Sequence, residues 1–479
     1  MIFSDREIKI SESLTEEKWA EVIAAVSGRD DLTLKIEGVD VFLKEMSIPV
    51  EISGISIANA VFKNKIKISG LSNGRFLSVK NSRSSFLSGV RIENVSCNSF
   101  EFSDSENMIE SDDEMNLIVT FTSCGFDNFI YSSFFLPSFN KVLFSDKVKI
   151  ESMSDHNDNS LHFIECIFSD GLSCELVNFK NKNLFIENSK TIKSNEKEKI
   201  SVTFSCRGGD LNNFEIKHSV LTGAYFKLFK TNFCDIAIDH CVIEELDLHT
   251  VNDGKDRTEI YNLYITNSNV GMLLLNNRDI IHPLSFVGST FKSPPHFFGA
   301  KITSGSRFPN RESFISRNGK RDAACYRVLR SHMEAQRDRT LEGIFFSLEQ
   351  ESLCNEENGI EHYISKMYHV FSNYGTDYIK PLLLLLVFAF IFTFIYGLYM
   401  SESIGLSNPI DWDLLKSSFI YSLKQILQPF SSLKDMTPLG DGKGELSLVI
   451  ILVSILQSFI SLVCIALSGL AIRWRFKRD

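Results

Sequence analysis

The chain has 479 residues, 44% hydrophobic and 23% charged, with a formal net charge of −10; this length allows two or three domains and a sizeable core. Its 10 cysteines show no paired spacing and no CxxC or clustered Cys/His pattern, which argues against a disulfide-stapled scaffold or structural zinc and for free thiols in a reducing compartment. The opening MIFSDREIKISESL has neither a basic n-region nor an apolar h-region, so no cleaved secretory signal is expected.

Thr15 to Ser27 reads as a short helix within an N-terminal cap, residues 1–30. Trp19, Val22, Ile23 and Val26 share one face, and Ser13 with Glu16 fits a capping box. Beyond it, short apolar runs alternate with Ser, Asn and Asp, and phenylalanine is abundant, with 40 in the chain. The runs share a unit in which a small residue sits between two apolar pairs, as in Phe163-Ile164-Glu165-Cys166-Ile167-Phe168 and Ile238-Asp239-His240-Cys241-Val242-Ile243. The small residues fall at Ala60, Ser82, Cys124, Cys166, Ser189, Ser219, Cys241, Ser268 and Ser289. Most separations are one or two multiples of about 22, which suits the coils of a β-helix.

The fold class expected for residues 31–300 is therefore mainly β: a right-handed parallel β-helix of irregular, pentapeptide-like coils. Small side chains would stack inside it, with Phe and Ile filling the interior. Roughly a dozen coils at about 4.8 Å each make a rod on the order of 55 Å long. The acidic stretches 103–115 and 152–160 read as loops leaving the coil, and Pro294-Pro295 marks the expected end of the rod.

An α-helical linker, 301–380, is predicted next. Asp322 to Gln350 reads as helix, with Leu329, Met333, Leu341, Ile344, Phe345 and Leu348 apolar and Arg327, Arg330, Arg337 and Arg339 crowding its first half. Residues 301–340 carry 10 basic and 4 acidic side chains, against 30 and 42 in residues 1–300. Such a basic island before a membrane segment suits contact with an anionic leaflet.

Two runs free of charge follow, 381–400 and 446–472. A bilayer core of about 30 Å needs roughly 20 helical residues, so both read as transmembrane α-helices. The tail, 473–479, holds Arg473, Arg475, Lys477 and Arg478, while the loop 401–445 is net acidic. The positive-inside rule then places both termini in the cytosol, with those four cations touching lipid headgroups.

In the loop, a helix at 411–428 is predicted, capped by Asp411. Trp412, Leu415, Phe419, Leu423 and Ile426 lie on its apolar face, and Asp413, Ser417, Lys424 and Gln428 opposite. It can lie in the outer interface or dip inward as a pore helix ahead of Thr437-Pro438-Leu439-Gly440-Asp441-Gly442. That loop lacks a potassium filter's run of stacked carbonyls. In the second span, Ser447, Ser454, Ser461 and Ser468 recur every seven residues, with Gln457, Ser458 and Cys464 beside the same stripe. Small, weakly polar residues on one face form a helix-packing seam, serving either the first span or a second copy of the chain, with or without a pore. Gln457 should face protein or water.

Three segments carry a family likeness: Tyr326-Arg327-Val328-Leu329 with Phe345-Phe346-Ser347-Leu348-Glu349, then Phe371-Ser372-Asn373-Tyr374-Gly375 before Lys380-Pro381, and Ala471-Ile472-Arg473-Trp474-Arg475-Phe476. Together they resemble bacterial membrane-anchored proteins that join pentapeptide-type β-helical repeats to a C-terminal two-transmembrane-helix module. The likeness covers about residues 320–479. It implies an architecture and a bacterial inner-membrane location but no set activity, although some proteins of this design look like effectors of bacterial defence.

The leading functional expectation is a cytosolic β-helix that recognises a partner protein or polymer, coupled to a two-span module that self-associates to perturb or permeabilise the membrane. A non-conducting membrane scaffold is the alternative. A β-helical enzyme ranks third, with Asp239, His240, Glu244 and His249 around Cys241 as its best local cluster. No nucleophile–base pair, phosphate loop or cofactor motif stands out, so the chain reads as a non-enzyme. Nucleic-acid binding at 301–340 ranks below lipid contact, because aromatic interleaving is sparse there.

Overall fold

The computed structural model describes the chain apart from residues 1, 4–5, 30, 72–73, 82–89, 105–118, 134–135, 153–159, 193–199, 208, 229–230, 252–258, 357, 405–411, 430–447 and 477–479. It divides into two compact units, Met1–Ser316 and Arg317–Asp479.

The first unit is a β-solenoid of about 10 turns. Its strands form a 16-stranded sheet, an 11-stranded sheet and a two-stranded pair. Pairing is parallel throughout, except where Ile2–Phe3 runs antiparallel to Glu7–Ile10. Glu7–Ile10 pairs in parallel with Leu32–Glu37, so the expected N-terminal cap begins as part of the sheet. Helix α1 (Glu16–Val26) follows, burying Trp19, Val22 and Val26. Its N-cap is Thr15, whose hydroxyl accepts from the Lys18 N–H at 3.5 Å. The cap therefore lies two residues beyond the predicted Ser13.

Register explains the phenylalanine content. Thr120–Thr122 pairs residue for residue with Ser138–Asn140, and that strand with His162–Ile164. Phe121, Phe139 and Phe163 consequently stack, with successive ring centroids 5.1 Å apart, near the spacing of adjacent strands. All three are buried.

One corner of the coil repeats with the same backbone. Asn94, Ser123, Lys141, Glu165, Asn188, His218, His240 and Asn267 all take the left-handed conformation, with φ between 47° and 56°. Asn and His tolerate this region better than most residues. The next residue then turns inward, giving the column Val95, Cys124, Val142, Cys166, Ser189, Ser219, Cys241 and Ser268, which Ser289 continues after the left-handed Gly288. Seven of the nine expected small positions, from Cys124 to Ser289, belong here. Ala60 lies on a different ladder, in which the Val61 N–H donates to the Val39 carbonyl, and Ser82 lies outside the described residues. Val142 fills the double step between Cys124 and Cys166, hidden in the sequence because valine reads as an ordinary strand residue.

The buried hydroxyls of this column join coil to coil. Ser189, Ser219, Ser268 and Ser289 accept from the backbone N–H of Cys166, Ser189, Cys241 and Ser268 at 3.0–3.2 Å. Ser268 and Ser289 also donate to the carbonyls of Thr266 and Ile265. These four buried hydroxyls are thereby satisfied, as burial requires. Gly271 packs directly on an earlier coil, where a Cβ would run into the Glu244 carbonyl oxygen. Buried Arg278 bridges carbonyls of earlier coils, donating through Nε to Leu248 and through Nη2 to Thr231, both at 2.6 Å.

The solenoid continues past Pro294-Pro295. His296, Lys301, Arg307 and Phe314 form parallel bridges to Leu274, Asp279, Ser285 and Phe291. The Ser293 and His296 amides on either side of the prolines donate to Gly271 and Leu273. The ladder thus steps over two residues that have no N–H to give, and the unit ends at Ser316 rather than 300. The predicted acidic loops 103–115 and 152–160 lie largely outside the described residues.

The second unit is helical: α2 (Gly319–Ala335), α3 (Arg339–Cys354), α4 (Ile360–Ser372), α5 (Ile379–Ile404), α6 (Trp412–Leu427) and α7 (Leu448–Phe476). The single helix predicted for 322–350 is instead the hairpin α2–α3. Arg337 turns left-handed at φ 60°, and the Asp338 carboxylate caps α3 by accepting from the Thr340 and Leu341 amides. Leu329, Met333, Phe345 and Leu348 are buried in this unit.

Candidate functional site: a polar seam inside the helical unit

Segments Ile379–Tyr399 and Val449–Arg473, within α5 and α7, have mean hydropathies of 2.5 and 2.7 and are long and apolar enough to cross a membrane. Only 28% and 33% of them is buried, unlike the core helix of a water-soluble domain. Leu383, Leu386, Phe390 and Phe394 of α5, and Leu452, Leu456, Phe459 and Leu462 of α7, are exposed.

The buried side holds the polar residues. Ser454, Gln457, Ser458, Ser461, Cys464 and Ser468 of the predicted seam are all buried; Ser447 lies outside the described residues. Gln457 is engaged through both its oxygen and its nitrogen. Its Oε1 accepts from the Tyr396 hydroxyl at 2.8 Å, and its Nε2 donates to the Ser422 carbonyl at 3.1 Å and the Ser422 Oγ at 2.7 Å. Ser422 Oγ donates in turn to the Ala389 carbonyl at 3.1 Å. Ser458 Oγ donates to Gln425 Oε1 at 3.4 Å, and Ser468 Oγ to the Tyr378 carbonyl at 2.7 Å. The Tyr396 and Tyr421 rings meet edge to face at 4.9 Å. The seam therefore finds hydrogen-bonding partners on α5 and α6 of its own chain.

Helix α6 buries a face other than the predicted one. Leu414, Ser418, Ser422, Gln425 and Ile426 are covered, while Trp412 is 78% exposed. The Ser418-Ser422-Gln425 stripe was legible as small polar residues at helical spacing, like those of α7. The reading for an interfacial helix followed the large side chains instead. Asp411, the expected cap, and 437–442, the expected filter-like loop, lie outside the described residues.

Three of the four arginines singled out in the predicted linker helix form ion pairs within the unit. Arg327 and Arg330 reach Glu349 at 2.8 and 3.2 Å, and Arg339 reaches Glu342 at 2.8 Å. Glu349 is only 3% exposed, so α3 supplies a buried carboxylate that the basic count of α2 did not anticipate. Arg337 and Arg473 are exposed. The side chain of Arg475, and all of Lys477 and Arg478, lie outside the described residues. A cavity of about 460 Å³ opens beside these pairs, lined by Arg330, Glu342, Phe346 and Tyr374 and by Leu467 and Leu470 of α7.

In the solenoid, the cluster around Cys241 separates into local pairs. His240 Nδ1 meets Asp239 at 2.8 Å, His249 Nδ1 meets Asp247 at 2.5 Å, and Glu244 binds Lys292 at 3.1 Å. The Cys241 thiol points inward, where burial pushes its pKa up to about 11, the opposite of an activated nucleophile. None of the ten cysteines is disulfide-bonded, and only Cys234 is exposed.

Comparisons with family models, curated proteins and solved structures return no match. The geometry itself defines the class: a parallel β-solenoid followed by helices, two of them candidate transmembrane spans.

Proposed function

We propose that this protein is a membrane-anchored recognition solenoid, in which α5 and α7 cross a bilayer with α6 packed between them. The observation that carries the reading is the inverted polarity of α5 and α7: leucines and most phenylalanines outside, glutamine, serine and tyrosine inside. In lipid, polar side chains find partners within the bundle and the apolar surface needs no cover. In this reading the solenoid stands on the cytosolic side and offers its faces to a partner protein or polymer. The seam serves as internal glue, and no catalytic role is assigned. Fractionation tests this directly. The full-length chain should pellet with membranes and resist extraction by alkaline carbonate, with a tag at residue 1 shielded from outside intact cells. Recovery in the soluble fraction refutes anchoring, and labelling of the tag from outside refutes the orientation.

A second reading, a self-associating module that permeabilises the membrane as an effector, is favoured by one observation. The face of α6 that carries Ser418, Ser422 and Gln425 is buried, and Ser422 and Gln425 hydrogen-bond to residues of α5 and α7, as expected of an inward-dipping helix rather than a surface one. Ion flux from proteoliposomes separates the two. Flux abolished by Gln457→Leu supports the channel, and vesicles that stay tight at high protein loading support the anchor.

A further inference from the structure

Helix α4 presents an apolar stripe with nothing from the unit's described residues over it. Ile360, Tyr363, Ile364 and Met367 are 77%, 69%, 63% and 58% exposed. Their spacing of three, one and three residues places them on a single face. Glu361, His362, Ser365, Lys366 and His369 occupy the other side. An uncovered stripe of this kind on a short helix marks an interaction surface.

Two contacts indicate what meets it. Phe371, the next residue along the stripe, stacks on Phe388 of α5 with ring centroids 6.3 Å apart, so the stripe runs on into the exposed apolar surface of the first span. At the same end, the Lys380 ammonium reaches back to donate to the His369 carbonyl at 3.2 Å, which draws this cation toward the polar side of α4. Apolar residues continuous with the span, beside a cation drawn to the polar side, are the arrangement of a helix lying in a membrane interface.

We propose that α4 lies in the headgroup–acyl boundary of the bilayer, with Ile360, Tyr363, Ile364 and Met367 inserted among the lipid chains; this rests on the anchoring reading above. Glu361 and Lys366 on the polar face cancel in charge, so insertion is driven by the apolar stripe and proceeds on neutral lipid. The helix then acts as a collar that fixes the depth at which the chain enters the membrane.

Photocrosslinking in phosphatidylcholine vesicles tests the proposal. A benzophenone amino acid is placed singly in the full-length chain at Ile364, Met367, Lys366 or Leu386, and adducts are identified by mass spectrometry after irradiation. Lipid adducts at Ile364 and Met367, several-fold above those at Lys366, are expected, with Leu386 of α5 as the in-membrane control. If Leu386 captures lipid while Ile364 and Met367 capture none, or capture a second protein chain, the interfacial helix is overturned and the anchor stands. If Leu386 captures no lipid either, the anchoring reading itself fails, and this inference with it.

Discussion

The two units solve the burial of serine in opposite surroundings. Inside the solenoid, Ser189, Ser219 and Ser268 sit among phenylalanine and isoleucine, and each accepts from the backbone amide of a neighbouring coil. Inside the helical unit, Ser422, Ser458 and Ser468 give their protons to carbonyls or a glutamine, and the leucines point away from them. The solenoid keeps its apolar residues in and its charges out, whereas α5 and α7 turn their leucines outward and bury neutral polar side chains. Direction of polarity, rather than total hydrophobicity, distinguishes a unit built for water from one built for lipid.

The comparison can be broken most forcefully where Gly271 packs on an earlier coil. Gly271→Val drives a side chain into the Glu244 carbonyl and should cost about 3 kcal/mol as overpacking. The denaturant midpoint of the solenoid transition measures it; an unchanged midpoint would show that the coils can separate locally.

A smaller loss is expected from Ser268→Ala, which leaves the buried Cys241 amide without its acceptor. The cost should be about 2 kcal/mol for one unsatisfied group, read from the same transition. Its counterpart, Gln457→Leu, removes three hydrogen bonds from the seam. It should nevertheless cost only about 1 kcal/mol in detergent, since the unfolded chain in an apolar medium also finds partners. Resistance to sodium dodecyl sulfate unfolding reports that value. A Gln457→Leu loss larger than that of Ser268→Ala would contradict the assignment of the two surroundings.

The smallest effect concerns pH. His162 stacks on Phe185 at 4.7 Å, and burial lowers its pKa, opposed by the nearby Glu187 carboxylate. A lowered folded pKa means the unfolded chain binds its proton first. The stability His162 contributes is therefore complete above about pH 6.5, the ordinary histidine value, and is lost as pH falls through the folded value. A His162→Phe variant should flatten this part of the pH–stability curve, and an unaltered slope would rule the residue out as its source.

Much of the fold was legible because solenoid physics writes itself into spacing. Cys166, Ser189, Ser219, Cys241 and Ser268 had to be small to fit the inward turn, and their recurrence gave away the coil. Val95 and Val142 fill the same role without a compositional signature, so the count of coils could not be read from small residues alone. The ends were less legible. Pro294-Pro295 looked like a terminator, but a solenoid can place prolines where its ladder needs no amide. In the helical unit, length and apolarity marked both spans, and the period of seven marked Ser454, Ser461 and Ser468. Tyr396 was not foreseen as a partner, because a cross-helix hydrogen bond leaves no trace in the spacing of a single segment, whereas Ser418, Ser422 and Gln425 were at helical spacing but outweighed by the larger apolar side chains of α6.

The left-handed corner of the solenoid has a consequence for how its surface can vary. Asn94, Ser123, Lys141, Glu165, Asn188, His218, His240 and Asn267 share one backbone shape although their side chains differ in size and charge, and all eight are exposed. The bend is set by the backbone, and any exposed side chain that tolerates the left-handed region can supply the protruding group. Successive groups stand one strand spacing apart, about 4.8 Å, so the edge is a line of interchangeable characters that can be rewritten without disturbing the page.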